Sequence, residues 1–344
     1  MALIDDDWEA FLQNDGGENE ERIIENNNVD KNTTIPKSSD LYISTKTKIL
    51  FVNCCFDLND IFWKLPIMDY GVSKEGIIKK QMKFNSTTKE ELDIINTNKV
   101  KYKCCNENII YNSDSVHMRD NKFKDVRKIS IGVSKKDIMS YRSKEKSAFY
   151  NCFVINIRII DDDIFKEVHV KIFNTGKMEI PGIQCEKLFA KIKQKILEIL
   201  QPYVDVTLKF HDNKEETVLV NSNFHCGYYL NRDALFELLK YKYNIQASYD
   251  PCSYPGIQCK YIISNDNKYI SFMIFRTGSI LIVGKCDDTK LNEVYEYLKK
   301  LMYDEYSSIH IKQEIDQVKI NKPKKTRKKI IYFNSVTSDS ITEL

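Results

Sequence analysis

The chain has 344 residues, 42% of them apolar, with a formal net charge of +3. This is enough apolar material for one large or two ordinary domains with a real core. No run of about eighteen apolar residues and no basic-then-apolar leader occurs, so neither a membrane span nor secretion is expected, and the ten cysteines read as reduced thiols.

Residues 1–40 carry eleven acids against three bases and few apolar side chains, a composition expected to stay disordered. Within them Trp8, Phe11 and Leu12 stand at helical spacing among acids, either a short docking helix or part of a solubilising tail. Lys48 to Cys55 reads as a strand. Asp57 or Asn59 then caps a short helix through Leu58, Ile61, Phe62 and Leu65, which Pro66 helps to end. Residues 86–147, rich in Lys, Asn and Ser, read as an insertion that is either a small module of its own or disordered. Cys54-Cys55 and Cys104-Cys105 lack the two-residue spacer that lets one turn present both sulfurs, so no zinc site is expected.

The rest of the chain says one thing twice. Val168 to Phe173, Asn174-Thr175-Gly176 and Met178 to Gly182 are matched by Ile270 to Phe275, Arg276-Thr277-Gly278 and Ile280 to Gly284. A helix-patterned segment follows each: Leu188, Phe189, Ile192, Ile196 and Ile199 in one copy, Leu291, Val294, Tyr295, Leu298 and Leu301 in the other. The second copy also repeats the opening, with a strand from Val218 to Cys226 and a helix start at Asn231 or Asp233. Such a duplication predicts two half-domains related by an internal pseudo-two-fold. Residues 312–329 hold eight bases against two acids, and a basic-then-polar tail is expected over 312–344. The segregated charge suits a polyanionic partner.

In both copies the strands alternate with period two, which gives one face to a helix-covered core and leaves the other free. In the second copy the free face is apolar, with Met273, Phe275, Leu281 and Val283, as expected of a binding surface.

Ser248-Tyr249-Asp250-Pro251-Cys252-Ser253-Tyr254-Pro255-Gly256 resembles the Ser-Tyr-Glu-Pro-x-x-Phe-Pro-Gly stirrup of the TATA-box-binding protein (TBP) family. The Phe-x-Thr-Gly turns resemble that family's Ile-Phe-x-Ser-Gly-Lys turns, with Phe173 to Met178 the closer match. The resemblance spans about 45–85 and 148–303 and is divergent, like versions encoded by large DNA viruses. It implies an α+β fold: a saddle of about ten antiparallel strands with four helices on its convex face. Repeat 1 would occupy 41–205, with the insertion inside it, and repeat 2 would occupy 206–311.

The resemblance further implies binding and bending of A/T-rich promoter DNA from the minor groove, a mode for which this family is a standard example. The intercalating wedges would be Tyr254 and Phe275 in repeat 2, and Phe173 with either Phe149 or Tyr150 in repeat 1. Groove-facing positions would be Val154, Lys171, Glu179 and Pro181 in repeat 1, and Asn221, Asn223, Met273, Leu281 and Val283 in repeat 2. Lys177 and Lys260 match phosphate-contact positions, and Arg158, Arg276 and Lys285 are placed to join them. Tyr249 and Asp250 would meet a transcription factor IIB-like partner that brings RNA polymerase. Residues 322–329 read as an import signal, further phosphate contacts or a solvated tail.

Glu179 and Lys171 stand where the family has apolar residues, and Pro181 and Val283 where it has Thr. A carboxylate facing a groove lined with acceptors is repelled unless Lys171 pairs with it, so repeat 1 is expected to bind more weakly or with different specificity. The rival reading is a protein–protein scaffold of a transcription complex with little DNA binding of its own. No Gly-rich phosphate loop, nucleophile motif or metal-spaced histidine set occurs, so neither an enzyme nor a cofactor is expected. A monomer working in a nucleus or a cytoplasmic viral factory completes the expectation.

Overall fold

The computed structural model describes residues 35–113, 123–139, 151–262 and 269–311. The proposed helix at Trp8–Leu12, the wedge candidates Phe149 and Tyr150, and the tail from 312 lie outside the described residues. The described residues divide into two compact units, those within 48–216 and those within 35–47 and 217–311, each with its own core. Among the described residues no helix is long and apolar enough to cross a membrane.

The 48–216 unit takes the last four residues of β1 (Tyr42–Phe51), then α1 (Leu58–Lys64), β2 (Gly76–Ser86), α2 (Lys89–Lys99), β3 (Cys105–Asn112) and β4 (Asp125–Gly132). It continues with α3 (Lys135–Met139), β5 (Cys152–Asp161), β6 (Ile164–Phe173), β7 (Lys177–Ile183) and α4 (Glu186–Leu200). Its strands lie in the order β1-β7-β6-β5-β2-β4-β3. Asp57, not Asn59, caps α1, its Oδ1 accepting the Asp60 N–H at 3.1 Å. Helix α4 buries Leu188, Phe189, Ile192, Ile196 and Leu200, a stripe at helical spacing, against Ile155, Ile157, Val170, Ile172, Met178 and Ile180 of the sheet.

The second unit holds the first six residues of β1, then β8 (Glu216–His225), β9 (Tyr229–Leu230), α5 (Arg232–Glu237), β10 (Gln246–Ser248), β11 (Ile257–Ile262) and β12 (Tyr269–Ile274). It ends with β13 (Ser279–Gly284), α6 (Asp288–Asp304), α7 (Tyr306–Ile309) and β14 (His310–Ile311). Its strand order is β10-β11-β12-β13-β8, with β9 and β14 paired apart. Helix α6 covers Ile270, Phe272, Ile274, Ile280 and Ile282 with Leu291, Val294, Tyr295, Leu298, Leu301 and Met302.

The duplication extends to individual backbone hydrogen bonds. The Val52 N–H donates to the Gly176 carbonyl at 3.0 Å and the Phe56 N–H to that of Asn174 at 2.8 Å; Cys226 donates to Gly278 at 2.9 Å and Leu230 to Arg276 at 2.8 Å. Val52 and Phe56 thus match Cys226 and Leu230, and Asn174 and Gly176 match Arg276 and Gly278. The turn glycines are required: at φ +76° and +89°, a Cβ on Gly176 or Gly278 would fall 2.2 Å from the Cys54 carbonyl oxygen or 2.3 Å from that of Tyr228.

The insertion is ordered where it is described, and its place is specific. It leaves β2 and returns at β5, the position of the 249–256 loop in the second unit. β4 pairs with β2 from Lys79↔Gly132 to Ser86↔Asp125, and β3 pairs with β4, so the sheet grows by two strands beyond the five each repeat was expected to give. The added strands carry a buried ionic network. The Arg127 guanidinium donates to both Asp125 carboxylate oxygens at 2.5 and 2.7 Å and to Glu107 at 2.5 Å, and Lys99 donates to Glu107 at 2.7 Å.

Lys80, fully buried on β2, ties this module to helix α1. Its ammonium donates to the carbonyls of Phe62 and Leu65 at 2.7 and 2.6 Å and to the Tyr102 hydroxyl at 3.0 Å, and so caps the C-terminal end of α1. Burial pulls its pKa down from 10.5 to about 8.

Candidate nucleic-acid interface

Strand register assigns each groove-facing candidate to a side of the sheet. In the second unit Met273 opposes Leu281 and Leu281 opposes Asn223, while Val283 opposes Ser271 and Asn221. None of these belongs to the helix-side core, which is built from the alternate residues. The apolar patch therefore lies on the sheet face away from α6. It is not open, however: Met273, Leu281 and Val283 are only 7%, 3% and 7% exposed. The expected exposed greasy face is a shielded one, with Asn221 and Asn223 half-buried beside it. The Asn221 amide donates to the Thr45 hydroxyl at 3.1 Å.

At the rim of this face Tyr254 and Phe275 meet edge-on, ring centroids 6.0 Å apart and planes at 65°. Gly256 sits against both: a Cβ there would be 3.0 Å from ring carbons of each. Burial holds the Tyr254 phenol well above its usual pKa. The loop carrying Tyr254 is wound on Asp250, whose Oδ1 accepts the Cys252 N–H at 3.1 Å and whose carbonyl accepts the N–H groups of Ser253 and Tyr254 at 3.1 and 2.9 Å. The Ser253 hydroxyl also donates to the Asp250 carboxylate, and that bond holds the carboxyl below its ordinary pKa. The Arg232 guanidinium reaches from the first turn of α5 to the Pro255 carbonyl and lies 5.5 Å from the centre of the Tyr249 ring. Tyr249 itself leans on Phe236, with centroids 6.0 Å apart. Arg232 is the residue here that sequence reasoning missed. Arg232 looked like one more surface cation, and its position beside the N-cap Asn231 was the available signal.

The first unit has the same scaffold with different chemistry. Phe173 follows Ile172 as Phe275 follows Ile274, and Ile172 opposes Phe153 as Ile274 opposes Ile257. Lys177 lies over Phe173, its Nζ 5.0 Å from the ring centroid. Lys171 and Glu179 oppose each other as Met273 and Leu281 do, and the ammonium donates to the carboxylate at 2.7 Å with both residues buried. Val154 opposes Lys171, and Pro181 follows Glu179 on the same face.

Comparison with known proteins follows this geometry. A "TATA-box-binding protein-like" protein of Acanthamoeba polyphaga mimivirus is 25% identical over 213 residues, 54% of this chain and 58% of its own length.

The chain is similar to a TBP-like protein.

It spans little more than half of that viral relative. No protein-family model matches the chain. A solved structure, Methanococcus jannaschii TBP, superposes with a TM-score of 0.38 at 12% identity, covering 77% of this chain and 99% of that one.

Among the cations expected to contact phosphates, Arg158 departs from expectation. It is only 6% exposed, bonds the Val72 carbonyl at 2.8 Å and packs between the rings of Tyr70 and Phe165 at 4.6 and 5.5 Å. A guanidinium used in this way is unavailable to a phosphate, and Arg158 is withdrawn from the candidates. Lys177, Lys260 and Arg276 are half-exposed and Lys285 is exposed, with the Lys260 Nζ 4.6 Å from the centre of the Tyr269 ring.

Proposed function

We propose that this chain is a non-enzymatic transcription initiation factor that binds A/T-rich promoter DNA from the minor groove and bends it. The observation that carries this reading is the Tyr254–Phe275 ring pair beside an apolar sheet face on the side away from α6. Flat apolar rings that enter a base step offset the cost of unstacking by stacking on the splayed bases. Minor-groove contact then needs few hydrogen bonds, because A·T and T·A present similar acceptors there, and flexible TA steps lower the bending cost. Lys177, Lys260, Arg276 and Lys285 hold phosphates around it.

The wedge partner of Phe173 in this reading is Tyr150 rather than Phe149. Tyr254 lies three residues before Ile257, and Tyr150 lies three before Phe153, the residue with the same strand partner. The stirrup surface at Tyr249 and Asp250 recruits a transcription factor IIB-like protein and, through it, RNA polymerase, in a nucleus or a viral factory. The shielded face favours a scaffold instead if no duplex displaces that shielding. Gel shifts of the full chain on A/T-rich duplexes over a salt series, with Tyr254→Ala and Phe275→Ala, separate the two. Binding that weakens with both substitutions and with salt supports the DNA reading; binding that is absent or indifferent to both supports the scaffold.

A further inference from the structure

The first unit's sheet ends on a long and poorly guarded edge. β3 pairs with β4 along one side, and among the described residues no strand lies along its other side. The strand runs from Cys105 to Asn112 without a proline, and its only charged residue, Glu107, is engaged by Arg127 and Lys99. Outer strands are ordinarily blunted by lysine, proline, shortness or a bulge, because their unpaired N–H and C=O groups template another strand. In the second unit shortness does this, since the outer strand β10 spans only Gln246–Ser248. β3 has a single such device, a register shift between Ile109 and Tyr111, and Cys105 to Ile109 before it keep regular register with β4. At that shift two isoleucines reach the surface: Ile109 is 55% exposed and Ile110 46%.

We propose that β3 pairs antiparallel with β3 of a second copy of this chain, joining two insertions into one continuous sheet about a two-fold axis. The charge of the strand favours its own copy over a foreign strand. Glu107 is already neutralised by Arg127 and Lys99, so an identical strand brings no uncompensated like charge to the seam. A charged peptide strand finds no opposite charge on β3 to meet. The exposed side chains favour it as well, because an isologous contact sets the Ile109–Ile110 patch of one copy beside that of the other and buries both. The dimer neither uses nor requires the nucleic-acid reading above.

The test is sedimentation of the full chain without nucleic acid over a concentration series, with amide exchange followed in parallel. The mass is expected to rise to twice that of the chain, and amides in 105–112 are expected to exchange more slowly as concentration rises. The double variant Ile109→Lys with Ile110→Lys places lysines on the edge at exposed positions. It is expected to keep the wild-type melting midpoint while its mass stays at one chain throughout. Should it lose its cooperative melting transition, Asn106→Lys, also at an exposed position of β3, takes its place with the same expectation. A wild-type chain that stays monomeric overturns the proposal. Slow exchange of β3 at every concentration also overturns it, since the edge is then covered by something other than a second copy. A dimer that survives these substitutions places the contact elsewhere and overturns it too.

Discussion

Tyr254 and Phe275 come from different segments, the eight-residue 249–256 loop and the turn that follows β12, and their rings meet edge to face with centroids 6.0 Å apart. What lets them do so is the absence of a side chain at Gly256, where a Cβ would stand 3.0 Å from both rings. Gly256→Ala therefore forces at least one ring to move. Overpacking of this kind typically costs about 1–3 kcal/mol. Urea unfolding is expected to show a loss in that range, and an unchanged midpoint would mean that the rings shift freely.

Arg232 anchors the same loop through the Pro255 carbonyl. Arg232→Ala removes that donor and the cation over Tyr249, so the loop opens locally without global unfolding. Amide exchange at residues 252–254 is expected to quicken while α6 stays protected. Equal exchange in both proteins would show that Asp250 alone holds the turn.

Lys80 is a buried cation whose three donors meet only neutral oxygens. Lys80→Met leaves the Phe62 and Leu65 carbonyls without that donor, a loss of about 1–3 kcal/mol at neutral pH. Its folded pKa of about 8 lies below the ordinary 10.5. Between those values the unfolded chain binds more protons, so the lysine's contribution to stability rises with pH across that window. The stability difference between wild type and Lys80→Met is expected to move in favour of wild type from about pH 8 upward. A difference independent of pH would mean that Lys80 stays charged throughout.

Cysteine chemistry gives a check that is independent of nucleic acid. Burial pushes Cys152 and Cys226 up to about 11 and Cys259 up to about 12, while Cys55, Cys104, Cys185 and Cys252 are exposed. Because the thiolate is the reactive form, iodoacetamide at pH 8 is expected to label the exposed four first. The buried three should react only in denaturant. Rapid native labelling of Cys259 would contradict the burial of β11.

Much of the duplicated scaffold was legible because its signals are local. Gly176 and Gly278 mark turns that only glycine fits, and the alternation of β6 and β12 separates helix side from groove side. The pairing of Lys171 with Glu179 could be stated as a condition, since register follows from the turn between them. The place of the insertion was legible but its strands were not: Cys105–Asn112 lacks clean alternation, and Asp125–Gly132 buries Asp125 and Arg127, residue types that a pattern assigns to the surface. Arg158 failed for the same reason, because sequence cannot distinguish a guanidinium stacked between Tyr70 and Phe165 from one facing solvent. Nor could it reveal that Met273, Leu281 and Val283 are almost wholly buried, since alternation gives a side of the sheet and not what packs over it.

The central claim is that the Tyr254–Phe275 pair kinks a duplex from the minor groove. Energy transfer between dyes at the two ends of an A/T-rich duplex measures that bend directly. The account predicts a marked shortening of the end-to-end distance with the full chain, abolished or strongly reduced in the folded Tyr254→Ala, Phe275→Ala double variant. A duplex that binds yet stays straight, or one that bends equally with the variant, would contradict it.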